Sequence, residues 1–409
     1  MRALHLHHGN ALLDFRQVFA REENRMNWVL ILATAIAGIL IAYLTVFRRP
    51  AQRSTPAPPL APRRHRAVAT DTGAGVVPDT AEVAETPVDG PLPPALVAFW
   101  LAEEHELAPD RCAEITEQLR HIVMPPRGVQ RFMSADITTV DASRELAELV
   151  MSEPRLTARL LGRANSSFYG LQMPIGSVPH AITYLGMNAV RSMALSFLLE
   201  ESFTSDDPKL REYHDQVWTS GLFASELCSL LATRLGFSDA ATLCTQTILS
   251  FIGDLAAPPL LGNEAHRAYG LGLVDRLRFE QETIGASSIL LGTLVMRDWG
   301  LPDTIVSSVS ATGRVIATPV TRLPEEIAAR AGFSYACTRI GEAIARRRIK
   351  HIDQIDLLDG DDPELHHLQG YLRLPALAPL VQQLESPDIR IPLIRMIAAA
   401  NSEASSTPA

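Results

Sequence analysis

The chain has little of what most catalytic and nucleic-acid-binding signatures require. Its four cysteines, Cys112, Cys228, Cys244 and Cys337, show neither C-x-x-C pairing nor metal-ligand spacing. They read as reduced core thiols, in keeping with a cytoplasmic address. Basic residues are outnumbered, 37 Lys and Arg against 46 Asp and Glu, for a net charge of −9. Phosphate neutralisation needs a basic surface, so this balance argues against broad nucleic-acid binding. No Gly-rich phosphate loop, nucleophile elbow or Cys/His pair is present. Alternating strand patterns are missing too, which points to an all-α fold class.

What the chain does have is one long run without charge. Residues 28–47 read WVLILATAIAGILIAYLTVF, followed at once by Arg48 and Arg49. Twenty such residues suffice to cross a hydrocarbon layer of roughly 30 Å as a helix. A core helix would carry a polar face and a signal peptide would be shorter and end in small residues, so a transmembrane helix is expected. Trp28 and Tyr43 lie near its ends, where aromatic rings favour the interface. Thr34, Gly38 and Ala42 share one face, a small-residue stripe that could support self-association. Arg16, Arg21 and Arg25 precede the run, diluted by Glu22 and Glu23, whereas Arg48, Arg49, Arg53, Arg63, Arg64 and Arg66 follow it. The heavier side stays inside, so a single-pass inner-membrane protein with its C-terminal domain in the cytoplasm is expected.

This divides the chain into a short extramembrane segment (1–27), the span (28–47), a linker (48–91), a helical domain (92–400) and a tail (401–409). The linker, with TPAPPLAPRRHR and AETPVDGPLPP, is too poor in large apolar residues to bury a core. From Leu92 onward apolar residues recur at three and four, as in SRELAELVMSEPRLTARLLGRA and SELCSLLATRLGF, with Gly or Pro at the breaks. The tail, NSEASSTPA, is small and polar and expected to be disordered. The one dense basic run of the domain, Arg346 to Arg348 with Lys350, reads as a solvated helix end.

Between Met124 and Glu200 the pattern sharpens. MPPRGVQRFM is followed by ELAELVMSEPRLTARLLGRANSSFYG and then PIGSVPHAITYLGMNAVRSMAL. Read physically, Asn165 and Ser166 can bond nearby backbone and stop a helix, Gly170 permits a left-handed turn, and Ser177 suits the N-cap of VPHAITYL. The whole resembles the HDOD domain, a degenerate relative of the HD metal-dependent phosphohydrolases that serves as an output or regulatory module in bacterial signalling proteins. The resemblance rests on Glu153, Pro154 and Leu156, on Asn165, Ser166, Tyr169 and Gly170 in ANSSFYG, and on Ser177, Ala181, Leu185 and Gly186. The family more often has Asp before the proline, so Glu153 departs mildly. The core of the match is placed at 120–311, fading to generic helices in the last eighty or so residues.

Active HD relatives bring several His and Asp side chains to one or two metals, which activate a water. Carried onto this chain, the resemblance puts Ser220 at the first His position, Gly253-Asp254 at the His-Asp pair, Ser288 at a later His and Ser310 at the last. Only Asp254 survives, and one carboxylate does not hold a catalytic metal. No catalytic residue and no cofactor is therefore assigned, and the resemblance implies a pseudo-hydrolase that binds a protein partner or a small signalling ligand. The rival is a phosphohydrolase with an altered ligand set around Asp254, drawing on His214 or His266. His214-Asp215 otherwise reads as a surface or cap feature, and His366-His367 as an exposed pair. His5, His7 and His8 have no partner cluster.

Overall fold

The computed structural model of the 409-residue chain describes residues 91–122, 142–166 and 168–403, all within one compact unit, Glu82–Ala409. The predicted span with its Thr34, Gly38 and Ala42 face, the predicted linker up to residue 90, the MPPRGVQRFM stretch and most of the tail lie outside the described residues. Among the described residues all regular structure is helical and no strand occurs, as the periodicity leads one to expect.

A first group comprises α1 (Pro109–Leu119), α2 (Ala142–Met151), α3 (Pro154–Ala164), α4 (Val178–Leu185) and α5 (Met187–Glu200). In α3 the logic is local. Pro154 opens it at a position whose missing N–H costs no hydrogen bond. Leu156, Leu160 and Ala164 then follow at four-residue spacing and are all buried. The Ser177 hydroxyl accepts from the His180 N–H at 3.3 Å to cap α4. At Gly186 the backbone takes φ +89°, a conformation strained for other residues, so α4 turns directly into α5.

The second group is built on α6 (Pro208–Ala232), followed by α7 (Ala240–Leu249), α8 (Ile252–Leu261), α9 (Ala265–Ala268), α10 (Leu273–Ile284), α11 (Ser288–Asp298), α12 (Asp303–Arg314) and α13 (Glu325–Ala345). Two short helices, α14 (Leu368–Leu372) and α15 (Leu380–Leu384), lead to α16 (Pro387–Glu403). That last helix carries Asn401 to Glu403, three residues predicted to be tail. The long helices α6 and α13 run against each other so closely that a Cβ on Gly341 would fall 2.6 Å from the Ala224 nitrogen.

Two apolar cores result, one around Leu160, Leu195, Leu255 and Leu291, the other around Phe223, Leu227, Phe333 and Tyr371. Cys228, Cys244 and Cys337 are buried and unbridged, while Cys112 is half-buried. Among the described residues one stretch, Ala240–Ala268, is long and apolar enough to cross a membrane, but 78% of its apolar 18-residue window is buried within the protein.

Two sequence expectations are corrected by packing, and a third is filled out. His366 and His367 are buried, edge to face at 5.0 Å, because the chain entering α14 folds under the second core. His214 is also buried, its ring set against Phe203. The run after α13 is exposed at Arg347, Arg348 and Lys350, as expected of a solvated helix end, and its arginines also bond back to the fold. Arg346 donates to the Tyr269 carbonyl at 3.0 Å, Arg347, at φ +57°, to the Ala400 carbonyl at 2.9 Å, and Arg348 pairs with Glu364 at 3.2 Å. The chain reverses there, and these side chains close the turn.

Candidate functional site

The motif turn ties the two cores together. Asn165, the C-cap of α3, donates to the Leu161 and Ile175 carbonyls, each at 2.8 Å, and accepts from the Ile175 N–H at 2.6 Å. One side-chain amide thus closes the ten-residue loop much as a pair of backbone groups would in a ladder. The Ser166 hydroxyl makes no hydrogen bond, contrary to the backbone-bonding reading of the sequence, since Asn165 already satisfies the helix end. Phe168 stacks on Phe223 at 5.7 Å in the second core, while Tyr169 packs against both and its hydroxyl reaches Met193. Gly170 takes φ +57° beside Arg395. Glu153 and Gly186 are exposed, Ala181 is fully buried and Leu185 half-buried. These positions set helix angles and bring no ligand groups to a common point.

Asp254 lies in the first turn of α8, where the resemblance would place the surviving metal ligand. Gly253 beside it is pressed against α11: a Cβ there would lie 1.7 Å from the Ser288 carbonyl oxygen. No side chain fits, least of all an imidazole, unless two helices separate. The Ser220 hydroxyl is spent on the Gln216 carbonyl of its own helix at 2.7 Å. Ser288 is buried at the start of α11, and its N–H donates to the Glu280 carboxylate at 2.6 Å. Ser310 lies elsewhere, in a cleft beside Arg297 and Arg314.

What faces Asp254 is a cation. Arg276 of α10, 1% exposed, places Nη1 at 2.6 Å from Asp254 Oδ1 and donates from the same nitrogen to the Tyr213 hydroxyl at 3.0 Å. Its Nη2 is 3.7 Å from Glu342, which in turn pairs with Arg339 at 2.6 Å and Arg346 at 2.9 Å. Arg339 continues to Glu364, whose carboxylate accepts from the Leu273 N–H at 2.7 Å.

The protonation states follow from burial and pairing. Burial acts against the Arg276 charge, yet Asp254 and the neighbouring acids more than offset it and hold the guanidinium firmly protonated. For Glu342 burial acts upward, and Arg339, Arg346 and Arg276 together hold it well below the usual carboxylate range. Glu280 goes the other way: burial pushes it up to about 7, with Arg276 pulling down and Asp254 pushing up. At His214 burial lowers the pKa, and its Nε2 has no hydrogen-bond partner. His266 bonds Asp207 at 2.9 Å near the start of α6. Neither histidine joins Asp254 in a ligand set, and among the described residues no group of three His, Cys, Asp or Glu side chains could hold a metal ion.

The metal that active HD relatives use therefore does not fit here. Asp254 is paired instead with a guanidinium, which has N–H donors but no coordination position through which to acidify a water as a metal does. The sequence offered a signal for Arg276 that motif matching passed over. In LVDRLRFEQETI it sits among Leu273, Val274 and Leu277 on the apolar face of its helix, with Glu280 one turn on.

The described residues thus form an all-helical domain in which a buried arginine faces Asp254. The family model of the HDOD domain matches residues 124–314. Among solved structures, the chain is similar to an HDOD domain protein with unknown function from Geobacter sulfurreducens, at 17% identity over 71% of this chain and 98% of that one, TM-score 0.49. It is also similar to a candidate phosphohydrolase from Shewanella amazonensis SB2B, at 18% identity over 70% and 98%, TM-score 0.46. A candidate signal transduction protein from Marinobacter aquaeolei VT8 aligns at 17% identity over 72% and 65%, TM-score 0.48. No curated protein matches the sequence.

Proposed function

We infer that this chain is a non-catalytic signal-transduction module, tethered to the inner membrane by residues 28–47, whose cytoplasmic helical domain binds a protein partner or a small signalling ligand. The observation that carries the reading is the Asp254–Arg276 pair. The one acidic position left from the HD ligand pattern is neutralised by a buried arginine, and the adjoining Gly253 leaves no volume for its histidine. The domain keeps the packing that positions helices and gives the metal position a fixed charge, an arrangement suited to holding a shape that a partner reads. Membrane attachment is supported by the uncharged run and the arginine asymmetry around it.

The test is a hydrolysis assay on the purified chain with phosphodiester and nucleotide substrates, supplied in turn with Mn²⁺, Fe²⁺, Ni²⁺ and Zn²⁺. No turnover above that of an Asp254→Asn variant is expected. Turnover that disappears in that variant would overturn the reading and restore the hydrolase.

A further inference from the structure

A second arginine site lies on the surface. Two contiguous cavities of about 670 and 980 Å³ share Glu103, Thr293, Arg297, Ser310 and Arg314. Each falls within the range typical of small-molecule sites. Arg322 and Ser307 line the larger one, with Asp303 the acidic group on that side.

Across this cleft runs a strap from the start of the domain. Its anchor is firm: Leu101 and Ala102 are buried, the Ala102 N–H donates to Gln281 Oε1 at 2.7 Å, and Gln281 Nε2 donates to the Trp100 carbonyl at 2.9 Å. Beyond the anchor, residues 103–106 form a single helical turn that holds its own shape, with the Glu103 N–H donating to Glu106 Oε2 at 2.8 Å. Glu103 pairs with Arg314 at 2.9 Å, and Glu104 pairs with Arg297. These side chains are 30–50% exposed, and such pairs are individually weak, about 0.2–1 kcal/mol. The turn is thus a unit held over the cleft by two weak ion pairs beyond a strong anchor.

We propose that the cleft is a binding site for a nucleotide-sized molecule carrying two adjacent phosphate groups, and that Glu103 and Glu104 occupy the phosphate positions in the state seen here. Arg297 and Arg314 line the same two cavities, and each guanidinium can fork onto a phosphate, which accepts bidentate hydrogen bonds. The hydroxyls of Thr293, Ser307 and Ser310 supply further donors within the same walls. Entry of the ligand lifts the glutamate turn off Arg297 and Arg314, while the anchor at Leu101 and Ala102 stays in place. This deepens the regulatory reading above and rests on it only in that the ligand is read rather than turned over.

The experiment is isothermal titration of the full-length chain in detergent micelles with inorganic pyrophosphate as the probe, with circular dichroism to verify the fold of each variant. Removing the competing carboxylates in Glu103→Gln/Glu104→Gln should tighten binding roughly two- to thirtyfold, since the apparent affinity is reduced by the fraction of chains whose cleft is covered. Arg297→Ala/Arg314→Ala should abolish it. Equal affinity in wild type and the glutamine variant, or no binding to a folded glutamine variant, overturns the proposal. Binding of a polyglutamate peptide in place of pyrophosphate also overturns it in favour of an acidic protein segment. Release of free phosphate during the titration counts against the regulatory reading and leaves the site standing.

Discussion

Arginine meets carboxylate in two places in this domain, with opposite consequences. Around Asp254 the partners are sealed inside, and Arg276, Glu342 and Glu280 are each no more than 3% exposed. Beneath the strap, Arg297 and Arg314 meet Glu104 and Glu103 half in water. The chemistry is the same and the dielectric is not. A buried pair cannot be opened without stranding a charge, so it fixes structure; a solvated pair trades its partner for water or ligand at little cost, so it suits exchange.

The largest effect is expected where the buried pair is broken from one side. Arg276→Ala should destabilise the fold by about 3–5 kcal/mol, because Asp254 is left buried and uncompensated. Adding Asp254→Asn should return part of that loss, giving a clear coupling energy in a double-mutant cycle read by denaturant unfolding. Additive losses would mean the pair is incidental to the site.

Next comes the wall of the same site. Gly253→Ala should cost at or above about 3 kcal/mol, the upper end of the usual overpacking range, since the new methyl meets the Ser288 carbonyl. A variant as stable as wild type would show that α8 and α11 can part, and that a histidine could be accommodated.

The pH dependence sharpens the contrast without changing the packing. Glu280 titrates near 7 in the folded chain and near its ordinary value of about 4.3 when unfolded, so the folded state binds the extra proton between. Its contribution to stability is complete below about pH 4.3 and is lost as the pH rises through 7, up to about 4 kcal/mol in all. Glu280→Gln should flatten that fall, leaving the slope supplied by Glu226, whose desolvation also raises it to about 7 against the pull of Arg163. An unchanged profile would mean that Glu280 is charged in the folded protein. At the acid end the sense reverses. Glu342 and Glu364, held low against their burial by arginines, stabilise above their unfolded values, and that stability goes as the pH falls through the folded ones.

The smallest stability effect belongs to the open site. Arg314→Ala should shift unfolding by less than about 1 kcal/mol. A loss as large as that of Arg276→Ala would make the strap part of the core and leave it nothing to exchange.

Much of this fold can be read along the chain because its causes are local. Pro154 with Leu156, Leu160 and Ala164 announces a helix and its buried face, and Ser177 and Gly186 mark the limits of the next. The expectation that the HD ligand pattern is missing rests on residue identities at matched positions alone, Ser220, Gly253, Ser288 and Ser310. What faces Asp254 is not legible in this way, because Arg276 reaches Asp254 from another helix and Glu342 from α13, so the network exists only once three helices converge. The strap escapes for the same reason: Glu103 and Glu104 look like any solvated acidic pair until tertiary folding sets them on Arg314 and Arg297. His214 and His366 mislead in the opposite sense, reading as surface polar residues yet packing inside against aromatic rings.

The most direct test of the Asp254–Arg276 account is elemental analysis of the full-length chain, purified without chelators, beside its Asp254→Asn variant. Substoichiometric Mn, Fe, Ni and Zn is expected in both, because a guanidinium holds the position a metal would take. Stoichiometric metal in the wild type that is lost in Asp254→Asn would contradict the account and show that Arg276 gives way to the ion.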